Sequence, residues 1–248
     1  MRLLAIETST EACSVAVMAG GEVCERFEVA PRRHAELVLP WAEALLAEAG
    51  LRRRDLDAIA VCRGPGAFTG VRLGISIAQG IALALDLPLV PVSTLAVLAL
   101  GGARAGRADA PRASGADALA GSLVLASIDA RMGEVYAGAF TRDGDGLRAL
   151  DREVVAAPDA VQLPPGGPWY GVGTGFAAAE GALAGRLADR LVSIDATALP
   201  RAADLARLAA LVLDQGGGMA PERVEPAYLR DNVALTLAEQ VAARERRG

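Results

Sequence analysis

The chain has 248 residues, of which 52% are hydrophobic and 22% are charged, so it can bury a sizeable core and is not mainly disordered. Its net charge is −5, whereas proteins that bind DNA or RNA alone through phosphates usually carry a basic excess. The composition therefore predicts that any nucleic acid meets this chain at a small patch or through a partner.

The inventory of reactive side chains is short. The chain holds one histidine, His34, three cysteines (Cys13, Cys24 and Cys62) and no lysine. A structural zinc site needs more His and Cys ligands than these, and Walker-type or Schiff-base chemistry needs lysine. We therefore expect no metal, no cofactor and three reduced cysteines packed in strands.

The apolar runs do not predict a signal peptide or a membrane span. The N-terminal run stops at Glu7 after a few residues, and the longest stretch, residues 75–100, is interrupted by polar residues and prolines. The expectation is a soluble, cytoplasmic protein.

The first part of the chain predicts three antiparallel strands followed by alternating helices and strands. Strands are expected at 3–8, 13–18, 22–29, 57–62 and 89–92, and helices at 34–49, 71–85 and 93–103. Ser93 or Thr94 is expected to cap the last of these helices. This order resembles the ribonuclease-H-like fold, with a mixed sheet and helices on its faces.

The pattern then begins again after a stretch rich in Ala, Gly, Arg and Asp at 101–121, which we interpret as a connection or surface loop. Strands are expected at 122–129, 134–141, 147–155, 169–173 and 191–194, and helices at 174–188, 201–215 and 234–247. Residues 125–129 (LASID) repeat residues 3–7 (LLAIE), which indicates an internal duplication. The predicted division is a first half (1–103), a linker (104–121), a second half (122–232) and a C-terminal helix or tail (233–248).

Two ribonuclease-H-like halves around a cleft are the plan of actin, hexokinase and Hsp70, in which a hairpin from each half grips phosphates. Here the candidate cleft residues are Glu7, Asp129 and Gly173, at two strand ends and one glycine-rich turn. The first hairpin lacks glycine, and Arg131 would intrude where a phosphate should sit. A small-molecule kinase or ATPase using the cleft stays open as an alternative.

Five segments carry a more specific resemblance. They are IETSTEACSVA (6–16), RHAE (33–36), RGPGAFTGVR (63–72), IDARMGEVY (128–136) and PAYLR (226–230). Together they resemble the TsaB (YeaZ) family of tRNA threonylcarbamoyladenosine biosynthesis proteins, nearly from end to end of the chain.

The resemblance implies an actin/Hsp70-like fold and a role without catalysis. Members pair as a heterodimer with TsaD, a paralogue that transfers threonylcarbamoyl to N6 of adenosine 37 in tRNAs reading codons that begin with A. TsaE, an ATPase, docks on the pair. The implied contact with tRNA is indirect, through the complex. A homodimer is possible when the chain is alone, and neither membrane nor DNA is implied.

TsaD-type enzymes hold a metal through a His-x-x-x-His pair, and the matching positions here are Thr94 and Leu98. Leucine cannot bind a metal and threonine is a poor ligand, so no metal site and no catalytic residue are expected. A metallopeptidase is excluded on the same residues. His34 lies outside that pair.

Two helices are the expected partner surface. Leu37, Trp41 and Ala44 form a stripe on the first, with Trp41 as the candidate anchor. Gly70, Gly74 and Ala78 form a row of small residues on the second, which allows another helix to approach closely. The alternatives are an ordinary half-buried tryptophan and a row that packs on its own sheet.

The glycine-rich loop at the start of the second helix is a candidate anion or nucleotide contact, because helix N-terminal amides bind anions. The residues concerned are Arg63, Gly64, Gly66, Thr69 and Arg72. The alternative is that the glycines only allow a tight loop.

Overall fold

The computed structural model describes residues 1–105 and 121–230, which form two mixed β-sheets with helices on their faces. The first sheet has the strand order β3-β2-β1-β4-β5. Its strands are β1 (Arg2–Glu7), β2 (Ala12–Ala19), β3 (Glu22–Val29), β4 (Ala58–Cys62) and β5 (Leu89–Val92). β1 pairs antiparallel with β2 and parallel with β4, as a ribonuclease-H-like sheet requires.

The second sheet repeats this plan, with the order β11-β10-β6-β7-β8 and with β9 paired to β7. Its strands are β6 (Leu123–Arg131), β7 (Glu134–Asp143), β8 (Gly146–Ala149), β9 (Val154–Ala156), β10 (Trp169–Val172) and β11 (Leu191–Asp195). β6 pairs antiparallel with β7 and parallel with β10, which matches the pairing of β1 with β2 and β4. The predicted α/β, actin/Hsp70-like fold with two ribonuclease-H-like halves is confirmed.

The helices are α1 (His34–Glu48), α2 (Phe68–Leu85), α3 (Thr94–Ala105), α4 (Ala182–Arg186) and α5 (Ala202–Asp214). Ser93 caps α3, because its hydroxyl oxygen accepts the amides of Leu95 and Ala96 at 3.1 and 3.3 Å. By length and composition alone, α2 is long and apolar enough to cross a membrane. One face of it, however, packs in the core of the first half.

Two predicted elements are wrong. The single strand at 147–155 is two short strands, β8 and β9. The helix at 174–188 is two 3-10 turns followed by the five-residue α4, because Glu180 and Gly181 have left-handed φ angles of 57° and 79° that interrupt a helix. The helix predicted at 234–247 lies outside the described residues.

The core is built by helices that cross between the halves. α1 and α2 pack on one face of the first sheet, whereas α5 from the second half of the chain packs on its other face. α3, from the first half of the chain, packs on the second sheet. The predicted boundaries of the two halves remain a prediction, and this exchange of helices joins them into one packed unit.

The N-terminus of α5 is tied to the first sheet by polar contacts. The amide of Ala202 donates to the Ser14 hydroxyl at 2.9 Å, and the amide of Ala203 donates to Glu25 at 3.0 Å. Glu25 also pairs with Arg201 at 2.7 Å. These acceptors satisfy amides that the first turn of a helix leaves unpaired.

Candidate functional site: the cleft between the two halves

A cleft of about 1370 Å³ lies between the halves. From the first half it is lined by the β1–β2 loop, the start of α1 and the first turn of α2; from the second half it is lined by the β6–β7 turn. Residues 226–230, which we call the strap, run along it. All five segments that carried the family resemblance therefore contribute to one cleft.

Glu7 does not line this cleft, contrary to the sequence-based expectation. Its side chain is fully buried, and Oε1 accepts the amide of Ser9 at 2.5 Å. Burial raises the pKa of the Glu7 carboxyl, while hydrogen bonds from Cys62 and Ser9 act in the opposite direction. Glu7 therefore holds the β1–β2 loop from inside rather than offering a carboxylate to a ligand.

The same loop is packed directly against the glycines of the loop before α2 and of α2 itself. A Cβ added to Gly66 would lie 2.3 Å from the Ser9 carbonyl oxygen, and one added to Gly70 would lie 2.1 Å from the Thr8 carbonyl oxygen. A Cβ on Gly74 would meet the Thr8 hydroxyl at 2.5 Å. The β1–β2 loop is therefore packed closely on the start of α2, with no room for a side chain at these glycines.

These contacts correct the expected partner row of Gly70, Gly74 and Ala78. Gly74 and Ala78 are buried and Gly70 is half-buried, because this face of α2 packs on its own half. The row of small residues therefore packs on its own sheet, which is the alternative that the sequence left open.

His34 fixes the far side of the loop. It is buried at the start of α1, and Nε2 lies 3.0 Å from the Thr10 carbonyl oxygen and 3.1 Å from that of Ala12. Since both neighbours are acceptors, Nε2 carries the proton and donates to them. His34 is therefore used in positioning the loop.

The β6–β7 turn does place Asp129 at the cleft, but its carboxylate is already engaged. Oδ1 accepts the amide of Arg131 at 2.8 Å, and Oδ2 pairs with the Arg131 guanidinium at 3.1 Å. Arg131 and Met132 have φ angles of 64° and 58°, an uncommon conformation outside glycine. Arg131 lines the cleft.

Gly173 is a close-packing position and does not line the cleft. A Cβ there would lie 2.2 Å from the Ser127 carbonyl oxygen and 2.5 Å from Cδ2 of Leu98, and its φ of 105° also favours glycine. Its neighbour Thr174 lines the cleft and accepts the Asp129 amide at 3.2 Å. Gly173 therefore allows the close packing of this strand-to-turn junction on β6 and α3.

The two positions that match the TsaD ligand pair lie inside the protein. Thr94 is fully buried and its hydroxyl lies 3.1 Å from that of Ser9, while Leu98 is 1% exposed in the core around α3. Across residues 1–105 and 121–230, no group of three or more His, Cys, Asp or Glu side chains could hold a metal ion. Among the cysteines, Cys13 and Cys62 are buried, but Cys24 is exposed, contrary to expectation.

Only three of the five anion candidates line the cleft. They are Gly66, Thr69 and Arg72, whereas Arg63 is exposed outside the cleft and Gly64 is buried. Arg63 instead accepts the amide of Ala227 on its carbonyl oxygen at 2.7 Å, and Gly64 accepts that of Thr94 at 3.0 Å. These backbone bonds hold the strap and the start of α3.

Arg72 is engaged by two aromatic rings that the sequence analysis did not single out. Its guanidinium lies 3.8 Å from the centre of the Phe68 ring and donates to the Tyr228 hydroxyl at 2.6 Å. The contact of Phe68 with Arg72 could be predicted from their (i, i+4) spacing on α2. The contact of Arg72 with Tyr228, 156 positions away, could not be predicted from the sequence.

The expected partner stripe on α1 is half-buried. Leu37 and Trp41 pack on the core of the first half, and Glu48 on the same side pairs with Arg26 of β3. The large apolar side chains that are more exposed on these two helices are Leu39, at 50%, and Phe68 and Leu83, at 59% each. None of these exposed residues belongs to the predicted partner stripe.

Comparison with known proteins agrees with this architecture. The family model described as "TsaD: tRNA N6-adenosine threonylcarbamoyltransferase" matches residues 27–237. The solved structure of YeaZ from Pseudomonas aeruginosa has a TM-score of 0.79 and 40% identity, covering 92% of this chain and 99% of that one.

Two curated relatives are similar over nearly their full length. The tRNA threonylcarbamoyladenosine biosynthesis protein TsaB of Escherichia coli is 42% identical over 240 residues, which are 94% of this chain and 96% of the relative. TsaB of Haemophilus influenzae is 36% identical over 242 residues, with 94% and 95% coverage. On these matches and the shared fold, the chain belongs to the TsaB (YeaZ) family of tRNA threonylcarbamoyladenosine biosynthesis proteins.

Proposed function

We propose that this chain is a noncatalytic subunit that pairs with TsaD, and through the pair with TsaE, for threonylcarbamoyl transfer to N6 of adenosine 37 in tRNA in the cytoplasm. The observation that carries the proposal is the state of the two candidate cleft carboxylates. Glu7 is turned into the core, and Asp129 is paired with Arg131.

The absence of chemistry in this chain is supported by what occupies the candidate catalytic positions. Glu7 is buried, and Asp129 is paired with Arg131. Leu98, at one of the two TsaD ligand positions, is a core residue. An ATPase or kinase needs a Mg²⁺-binding carboxylate and a base near its phosphates, so the same contacts disfavour the alternative of a small-molecule kinase.

The pairing surface in this proposal is the exposed part of α1 and α2. Trp41 is half-buried on one flank of α1, Leu39 is exposed on the opposite flank, and Leu83 is exposed near the end of α2. Buried aromatic anchors with apolar neighbours are typical of interface hot spots. When TsaD is missing, the same surface would support a homodimer.

A drop-out assay tests the proposal. This chain is mixed with TsaD, TsaE, tRNA, ATP and threonylcarbamoyl-adenylate, and modified adenosine is measured over many turnovers. We expect product to stall when this chain alone is omitted, and none to form with this chain alone. Unchanged product without the chain contradicts the proposal, and ATP-dependent phosphorylation by the isolated chain would favour the kinase instead.

A further inference from the structure

Two aromatic side chains are exposed side by side at the mouth of the cleft. Phe68 and Tyr228 are 59% and 53% exposed, and their ring centres are 6.4 Å apart. Arg72 lies over both rings, at 3.8 and 5.6 Å from their centres, and bonds the Tyr228 hydroxyl. The rings are thus held in a fixed position while their remaining faces stay open to solvent. Core packing does not account for such a pair, since large aromatic side chains are normally well buried.

The charge around these rings is opposite in sign to that of the chain. The residues lining the cleft include four arginines and two carboxylates. The arginines are Arg32, Arg72, Arg131 and Arg230, and the carboxylates are Glu11 and Asp129. Within the described part of the chain, Arg32 and Arg72 have no carboxylate partner within ion-pair distance. A local basic excess in a protein of net charge −5 indicates a site for an anion.

The size and shape of the site point to a polymer. At about 1370 Å³ the cleft exceeds the range of roughly 300–1000 Å³ that is usual for small-molecule pockets. Rigid aromatic faces flanked by arginines are the arrangement with which proteins bind single-stranded nucleic acid, since bases stack on the rings and phosphates pair with the guanidiniums.

We propose that the mouth of the cleft, defined by Arg32, Phe68, Arg72, Arg131 and Tyr228, binds an unpaired stretch of the tRNA substrate. One base stacks on Phe68 or Tyr228, and a flanking phosphate is met by Arg32, whose guanidinium has no carboxylate partner among the described residues. This inference rests on the proposed function, since it assigns this subunit a direct contact with the RNA that its complex modifies. It replaces the expectation from the sequence that tRNA is met only indirectly.

The test uses the full chain in complex with TsaD and a fluorescein-labelled anticodon stem-loop RNA. Fluorescence anisotropy gives the dissociation constant at several salt concentrations, and size-exclusion chromatography of the same samples gives the amount of complex. The key variants are Phe68→Leu, which keeps apolar volume without a π-face, and Phe68→Trp, which keeps the π-face. Val192→Ala, at an exposed apolar residue of β11 away from the cleft, is the matched control.

We expect Phe68→Leu and Tyr228→Leu each to weaken RNA binding about tenfold, while Phe68→Trp and Val192→Ala leave it unchanged. Arg32→Ala should lower the slope of log affinity against log salt by about 0.7, the value for one phosphate contact on a single strand.

Three other results overturn the inference, and they separate it from the proposed function. Unchanged RNA affinity with an intact complex removes the RNA contact and leaves the function standing. Loss of the complex in Phe68→Leu identifies the ring as a contact to TsaD. If the unmodified chain forms no complex with TsaD, the proposed function fails, and the RNA inference fails with it.

Discussion

The guanidinium of Arg230 pairs with the carboxylate of Glu134 and donates to the carbonyl oxygen of Ala130 at 3.2 Å. Arg230 ends the strap, and Glu134 and Ala130 belong to the β6–β7 turn of the second half. The strap is held to the first half by the Ala227 amide, which donates to Arg63, and by the Tyr228 hydroxyl, which accepts from Arg72. One short segment therefore ties both halves together across the cleft.

Removal of this tie should weaken the native state measurably. Arg230→Ala deletes a partly buried ion pair and a bond to a backbone carbonyl, which together are worth about 1 kcal/mol. For a chain of this size we expect Tm to fall by about 2–4 °C in a thermal melt. Arg152→Ala, at an exposed arginine, is the control and should leave Tm unchanged. Equal melting of both variants would mean that the Arg230 contacts do not stabilise the joined halves.

Two glycines on α2 should respond in opposite directions to the same substitution. Gly70→Ala places a methyl group 2.1 Å from the Thr8 carbonyl oxygen, a backbone atom that cannot easily move. We expect it to lower the free energy of unfolding by about 3 kcal/mol. Gly80→Ala meets nothing within 4 Å and should raise the free energy by about 0.5–1 kcal/mol, since alanine favours the helix. Urea denaturation of both variants measures the difference, and destabilisation by Gly80→Ala would contradict the packing described for α2.

The order of strands and helices could be predicted because local patterns of apolar residues determine it. Short apolar runs located β1, β2, β4 and β5, and alternation located β3. The repeat of residues 3–7 at 125–129 predicted that the second sheet copies the first. The turns at 174–181 were not predictable, because their left-handed residues include Glu180, whose sequence favours a helix.

The candidate site was only partly predictable, since its decisive contacts are long-range. Glycine-rich spacing marked Gly66 and Gly70, but only the folded chain shows that Thr8 and Ser9 fill the space beside them. Likewise Glu7 reads as a strand-end acid in the sequence, and its burial depends on β4 and the β1–β2 loop. Tyr228 is brought to Arg72 by tertiary structure alone.

The buried Glu7 should make the protein less stable as the pH rises. Its pKa is raised by burial, so above about pH 4.5, its unperturbed value, the unfolded chain releases the proton while the folded chain keeps it. The unfolded state then binds fewer protons, and stability falls until the pH passes the folded pKa. Glu7→Gln removes this proton exchange, so its free energy of unfolding should fall less between pH 4.5 and pH 7 than that of the unmodified chain.

Asp57 provides the control of opposite sign. Arg2 lowers the pKa of its carboxyl, so the stability it contributes is present above its unperturbed value of 3.8 and is lost as the pH falls through the lowered pKa. The free energy of unfolding that Asp57→Asn loses relative to the unmodified chain should therefore be largest at neutral pH. Urea melts at several pH values test both variants, and identical pH profiles for Glu7→Gln and the unmodified chain would show that Glu7 is ionised in the folded state.

The exposed part of α1 and α2 should be needed for pairing with TsaD but not for folding. Leu39 is about half exposed and Leu83 is more than half exposed. Leu39→Asp and Leu83→Asp should therefore change the free energy of unfolding by no more than about 0.5 kcal/mol. A carboxylate placed in an apolar interface costs about 2 kcal/mol or more, so affinity for TsaD should fall at least tenfold. Isothermal titration with TsaD measures it. Val192→Asp, at a residue of β11 with similar exposure, should bind normally. Normal binding by both helix variants would place the partner surface elsewhere on the chain.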